Sequence, residues 1–285
     1  MLGQYLVTFR EAFEAALITA IILSYLARSD RRGFSRYVWY GVALAVTASL
    51  TLGAIVWLTY GILPETFKLL FEALTAFIAV LVLSSMIYWM ALKGSSHINQ
   101  EIEKRVKIAA SRSARISLSA LSFIVVFREG FETILFLTPF LLVDTTATLV
   151  GMFFGISSAV LLAYVIFVVG MKVNLRRFFY FTSIMLILLA GGLAGYGTHE
   201  LLEYYEETGF KVGWLGEAAY TLSIPTDSPF HHKGAVGSIF AVMFGYTTSA
   251  EWARVIAHLA YLMIALPLLF LIYGKRSRKE KCSQK

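Results

Sequence analysis

The sequence has 285 residues, 58% of them hydrophobic and 15% charged, with a formal net charge of +7. At a mean hydropathy of +0.70 it has too little polar surface for a water-soluble globule of this length, which leaves an integral membrane protein. Its one cysteine, Cys282, excludes an intramolecular disulfide and a multi-thiolate metal centre.

A helix needs roughly 20 mostly apolar residues to cross ~30 Å of hydrocarbon. Seven segments meet that need, at 4–27, 37–60, 66–92, 116–143, 146–170, 178–199 and 252–273. The first has neither the charged start nor the cleavage site of a secretory signal and reads as its own insertion signal. It holds FREAFEAALI at 9–18, which puts Arg10, Glu11 and Glu14 among apolar residues. The third holds LLFEALTAF, with Glu72 four residues after Lys68. That carboxylate either pairs with Lys68 near the outer end or lines a path as a further acid. The fourth holds FREGFETILF at 127–136, repeating Phe, Arg, Glu, Phe and Glu 118 positions later as Arg128, Glu129 and Glu132.

Lys and Arg collect at 28–36, 93–115, 171–177 and from Gly274 onward, which predicts a cytoplasmic side for all four stretches. The N-terminus and residues 200–251 then lie outside, as an odd number of spans requires. The basic tail KRSRKEK fits topology and contact with anionic lipid rather than nucleic-acid binding.

The repeated stretches anchor a longer repeat. Each lies in a span that is followed by a Gly-, Ser- and Ala-containing span, then by a third that opens with a basic residue and Phe. Because three is odd, the second unit enters the membrane inverted, as in secondary transporters whose sites lie at midplane between repeats. The expected fold is an all-α membrane protein of seven transmembrane helices, N-terminus outside and C-terminus inside. Residues 1–92 form the first three-helix repeat, 93–115 a cytoplasmic loop and 116–199 the inverted second repeat. Residues 200–251 form an extracytoplasmic acidic loop, 252–273 the seventh helix and 274–285 a basic cytoplasmic tail.

On a helix, Arg at i and Glu at i+1 and i+4 fall at about 0°, 100° and 40°, so the three charges of each motif share a face. A charge facing lipid costs ~2.5–3.5 kcal/mol on the mildest scale, so the face points into the bundle and its members pair. Four Glu against two Arg leave two surplus acids, which a bound cation neutralises. Clustered carboxylates are hard ligands and suit Fe(III), Mn(II), Mg or Ca rather than Cu(I); the scattered methionines read as core filler.

His199 and Glu200, followed by Glu203, Glu206 and Glu207 in THELLEYYEE, could hold a metal at the mouth or form an acidic helix end in water. HELLE lacks the second His of a zinc protease. The adjacent His231 and His232 are a weak metal signal, His97 falls in the cytoplasmic loop, and His258 is expected to pack inside the last span.

The pair of intramembrane Arg-Glu-x-x-Glu motifs, REAFE at 10–14 and REGFE at 128–132, resembles the oxidase-dependent iron permease family, which includes fungal high-affinity iron permeases and bacterial EfeU-type permeases. FEALTAF at 71–77 and the Gly245-Tyr246 segment before the last span are similar to family segments as well. The resemblance implies a multi-pass permease of the cytoplasmic membrane that imports iron, with Fe(II) oxidised outside and Fe(III) handed over. The partner would be an extracytoplasmic ferroxidase or a periplasmic iron-delivery protein. Glu11, Glu14, Glu129 and Glu132 would be the translocation carboxylates, Arg10 and Arg128 their ion-pair partners, and iron the cargo rather than a resident cofactor. Membrane lipids complete the expected partners, nucleic acid is not among them, and a homo-oligomer is left open. Alternatives are a permease of the same fold for lead or manganese, a carboxylate di-metal enzyme, and a structural protein whose charges only lock helices.

Overall fold

A computed structural model describes residues 1–111, 114–167, 175–210, 212–225, 228, 230–231 and 237–283. Among them are the helices α1 (Leu2–Arg28), α2 (Ser35–Gly61), α3 (Glu65–Ser111), α4 (Ala114–Val143), α5 (Thr145–Phe167), α6 (Leu175–Glu207), α7 (Gly237–Phe244) and α8 (Trp252–Ser283). Seven of these overlie the seven apolar segments. The helices also run past the apolar stretches: α3 continues to Ser111, α6 to Glu207 and α8 to Ser283. The residues beyond the apolar stretches, rich in Glu, Lys and Arg, are good helix formers, so the helix continues where hydropathy falls.

The breaks have local causes. Asp144 separates α4 from α5, and its Oδ1 accepts the Ala147 N–H at 2.9 Å as a helix N-cap. Gly209, at φ +86°, ends α6. There the Phe210 N–H reaches Tyr205 O at 2.9 Å and the Gly209 N–H reaches Glu206 O at 3.0 Å, the paired bonds of a Schellman turn.

Five helices are long and apolar enough to cross a membrane, within 32–61, 65–92, 145–167, 177–207 and 252–274. Helices α1 and α4, each interrupted by its three charges, are not among them.

The helices pack crosswise: α1 lies mainly on α5, α2 on α4, α3 on α6 and α6 on α8. Small residues at four-residue intervals let the first two pairs close. On α5 the buried stripe is Gly151, Gly155, Ala159 and Ala163, and on α2 it is Gly41, Ala45 and Ser49. A Cβ on Gly155 would stand 2.9 Å from the Phe9 backbone nitrogen, and one on Gly41 2.9 Å from Ser122 Cβ.

The largest buried cluster joins Leu83 and Ile87 of α3, Phe136 of α4, Leu186, Ile187 and Leu189 of α6 and Leu269 of α8. Outside the membrane-length helices, strands β1 (Ala218–Thr221) and β2 (Ser249–Glu251) pair antiparallel, with Ala218 opposite Glu251. This pairing brings Glu251 back toward the end of α6.

Candidate metal-translocation site

Helix α1 carries Glu11 and Glu14 nine and twelve residues beyond Leu2, or about 14–18 Å along its axis. Helix α4 carries Glu132 and Glu129 eleven and fourteen residues before Val143, or about 16–21 Å. Counted from those helix ends, each motif lies at roughly half of the ~30 Å that a hydrocarbon layer spans.

Arg10 is 1% exposed and Glu11 is completely buried. Arg10 Nη1 bonds Glu11 Oε1 at 2.9 Å, and Nη2 lies 3.0 Å from Glu14 Oε1 in an ion pair without hydrogen-bond alignment. The same two nitrogens donate to Met86 Sδ and Met90 Sδ on α3, each at 2.7 Å. The second motif is held differently: Arg128 Nε donates to Glu132 Oε1 at 2.8 Å, while its side chain stays 51% exposed beside the Trp89 ring. Glu129 has no ion-pair partner among the described residues.

Glu11, Glu14 and Glu129 each offer one carboxylate oxygen, and the three atoms lie within 4.8 Å of one another. Two bonds to a hard cation span about 4–5 Å, so the three can share one ion. Glu132 stands beside them, held by Arg128. Buried without hydrogen-bond partners are Glu11 Oε2, Glu129 Oε2, Glu132 Oε2 and Ser49 Oγ, oxygens a cation can engage.

A cavity of about 640 Å3 runs along this site between α1, α2, α4 and α5. All eight α1 residues on its wall have their mates 118 positions later on the α4 wall: Glu11 with Glu129, Ala12 with Gly130, Ala15 with Thr133, and so on to Leu23 with Leu141.

Glu72 stands apart from this group. It precedes Met86 by fourteen residues on α3, about 21 Å along the axis. Its Oε1 accepts the Tyr60 hydroxyl at 2.5 Å and its Oε2 accepts the Tyr196 hydroxyl. Lys68 pairs with Glu65 at 2.7 Å, so of the two expectations for Glu72 the Lys68 pair is not formed.

The outer acids divide. His199, Glu200 and Glu203 bring one ligand atom each within 4.8 Å of one another. His199 Nδ1 also meets Glu251 Oε1 at 3.1 Å. Glu206 and Glu207 are exposed and outside this group. Tyr196 lies between Glu72 and Glu200 and links the α3 acid to this cluster at the end of α6. His258 is buried, as expected, and its ring faces Gly245, where φ is +62° and a Cβ would come within 2.9 Å of Nδ1. His231 is buried between α6 and α7 in sequence; His232 lies outside the described residues, as does the side chain of His97.

Sequence reasoning missed Met86, Met90, Tyr60, Tyr196 and Glu251. The methionines carried a signal, a four-residue spacing on one helix face, which reading all eight as filler passed over. Tyr196 is likewise four residues before Glu200. Glu251 had none, because its approach to His199 depends on the β1–β2 pairing.

The model of the iron permease FTR1 family matches residues 1–273. A relative from Archaeoglobus fulgidus described as an uncharacterized protein is 43% identical over 275 residues, covering 96% of each chain. The protein named ferrous iron permease EfeU of Yersinia pestis is 32% identical over 276 residues, covering 95% of this chain and 94% of its own. Its Escherichia coli namesake is 32% identical over 274 residues, covering 93% and 94%. No solved structure matches the chain. On these matches the chain belongs to the iron permease FTR1 family and is a multi-pass membrane transporter of iron, not an enzyme.

Proposed function

We propose that the chain carries iron inward across the cytoplasmic membrane through one midplane site built from both Arg-Glu-x-x-Glu motifs. Glu11, Glu14 and Glu129 are the first ligands, Glu132 the fourth carboxylate, and Arg10 and Arg128 the counter-charges. The observation that carries this reading is the convergence of three buried carboxylate oxygens from two helices within 4.8 Å. Four acids against two Arg leave a surplus that structural ion pairing does not need.

The accompanying topology is seven crossings, as two inverted three-helix repeats and a last helix. Three observations support it: the eight wall pairs of the cavity, the matching small-residue stripes of α2 and α5, and the similar distance of both charged motifs from their helix ends. Helices α1 and α4 cross despite their charges because the charges pair with one another, with Arg10, Glu11, Glu129 and Glu132 buried and Arg128 half exposed beside the Trp89 ring.

The oxygen-only ligand set favours Fe(III), delivered after oxidation outside by a ferroxidase or a periplasmic iron-delivery protein. The relatives' name, ferrous iron permease, carries the second reading, Fe(II) taken up as such. His199, Glu200 and Glu203 form the outer capture group, and Glu72, held by Tyr60 and Tyr196, the step between capture and the midplane.

The test is radiolabelled iron uptake into proteoliposomes, with iron held as Fe(II) by ascorbate or supplied as ferric citrate, and manganese and lead as competitors. Glu14→Ala and Glu132→Ala should each abolish uptake; uptake unaffected by either substitution would sink the site assignment.

A further inference from the structure

We propose that the cavity between α2 and α5 is a binding site, reached sideways from the bilayer, for a lipophilic ammonium ion. The alkyl chain lies along the apolar walls and the charged nitrogen sits between Glu11 and Glu129. This rests on the reading of those carboxylates as the metal site and adds a second class of ligand to it.

The opening follows from the packing. Because α2 lies on α4 and α5 on α1, the two stand on either side of the cavity and leave it unroofed. Trp39, Leu50, Leu149, Ile156 and Val160 line it and are also 43–64% exposed on the apolar outer surface. A hydrated metal ion does not cross hydrocarbon to reach such an opening, whereas an amphipathic cation partitions into the bilayer and arrives chain first. On α1 the wall runs from Thr8 to Leu23, fifteen residues or about 22 Å, long enough for an extended alkyl chain. The volume is within the ~300–1,000 Å3 of small-ligand sites, which are mostly apolar with a few convergent polar groups.

The polar groups select the head. Thr8, Thr19, Thr133 and Thr138 each donate to the carbonyl four residues back on their own helix, at 2.7–2.8 Å. Their donors, and that of Thr148, are thus used within the wall, while Ser49 keeps an unengaged hydroxyl that can accept as well as donate. Glu129 is 3% exposed, has no ion-pair partner among the described residues and leaves Oε2 unengaged, as Glu11 leaves its own Oε2. The cavity therefore presents acceptors and negative charge at its centre. That matches an ammonium, with three donors and a positive charge, and rejects a carboxylate or phosphate head.

The experiment uses the full chain in nanodiscs and follows quenching of Trp39 by 12-bromododecylamine, with Trp39→Phe identifying its share of the emission. The neutral 12-bromododecanol and the anionic 12-bromododecanoate are the comparison probes. The amine should quench at a concentration at least about tenfold below either. Combined Glu11→Gln and Glu129→Gln should remove the difference, and Val160→Phe, which narrows the cavity, should remove quenching. Equal quenching by all three probes would mean that any lipid chain fills the cavity, and no quenching by any that a second copy covers it; both overturn the proposal. In a separate arm the amine should raise the KM for iron about tenfold with Vmax unchanged. Selective quenching with iron uptake untouched would keep the ammonium site and discard the two carboxylates as metal ligands.

Discussion

Glu11 on α1 and Glu129 on α4, 118 positions apart in sequence, place carboxylate oxygens within 4.8 Å of each other. Glu14 joins them, but each motif treats its arginine differently. Arg10 is sealed by two carboxylates and two thioethers, while Arg128 holds Glu132 alone and remains half exposed.

This asymmetry predicts unequal roles for the arginines. Arg10→Gln leaves buried carboxylates without their cation, and breaking a buried pair costs about 3–5 kcal/mol. It should lower the yield of folded protein and its melting temperature in detergent. Arg128→Gln should melt within a few degrees of the unaltered chain and lose transport instead. Equal melting of the two variants would contradict the difference in burial.

The carboxylates themselves should separate by position. Glu11→Gln and Glu129→Gln keep the side-chain volume but remove oxygens that no protein donor engages, so iron uptake should fall by at least about tenfold. Folding should be preserved in Glu129→Gln, which breaks no ion pair, whereas Glu11→Gln breaks a buried pair with Arg10 and should lower the melting temperature as well. Isothermal titration with ferric citrate should show the loss as weaker binding.

Helix contact through glycine gives a prediction independent of iron. Gly155→Leu places carbon within 2.9 Å of the α1 backbone, which cannot give as a flexible side chain can. It should prise α5 from α1 and destabilise by at least about 2 kcal/mol, whereas Gly53→Ala meets Ile134 at an ordinary 3.6 Å and should change little. Thermal unfolding of both variants checks this.

The outer group should act on capture rather than on passage. Tyr196→Phe removes a hydroxyl that Glu72 accepts, and Glu203→Gln removes a ligand from the cluster with His199 and Glu200. Each should raise the KM for iron several-fold with Vmax nearly constant, measured as initial uptake rates across iron concentration.

The topology can be read with thiol labels, since Cys282 is the one native cysteine. In a Cys282→Ser background, Asp30→Cys should react with a membrane-impermeant maleimide only after the cytoplasmic side is opened, and Asp144→Cys in intact cells. Labelling of both from one side would refute the inverted arrangement of α1 and α4.

The sequence by itself determined the seven helical segments, because twenty-residue apolar runs satisfy their own backbone hydrogen bonds and need no distant partner. It also determined the pairing of Arg with Glu within each motif, which is local geometry. The helix ends at Ser111, Glu207 and Ser283 were not legible, because hydropathy marks where lipid ends and helix propensity does not. Tertiary structure alone decided which acids meet. Glu72 is a carboxylate like those of the two motifs yet belongs with Tyr60 and Tyr196, since helix rise carries it about 21 Å from Met86. Met86 and Met90 became ligands of a guanidinium only when α3 lay against α1, and Glu251 reached His199 only when β1 paired with β2. Spacing along one helix fixes which side chains share a face; which faces meet depends on packing between helices, set here by the small-residue stripes of α2 and α5.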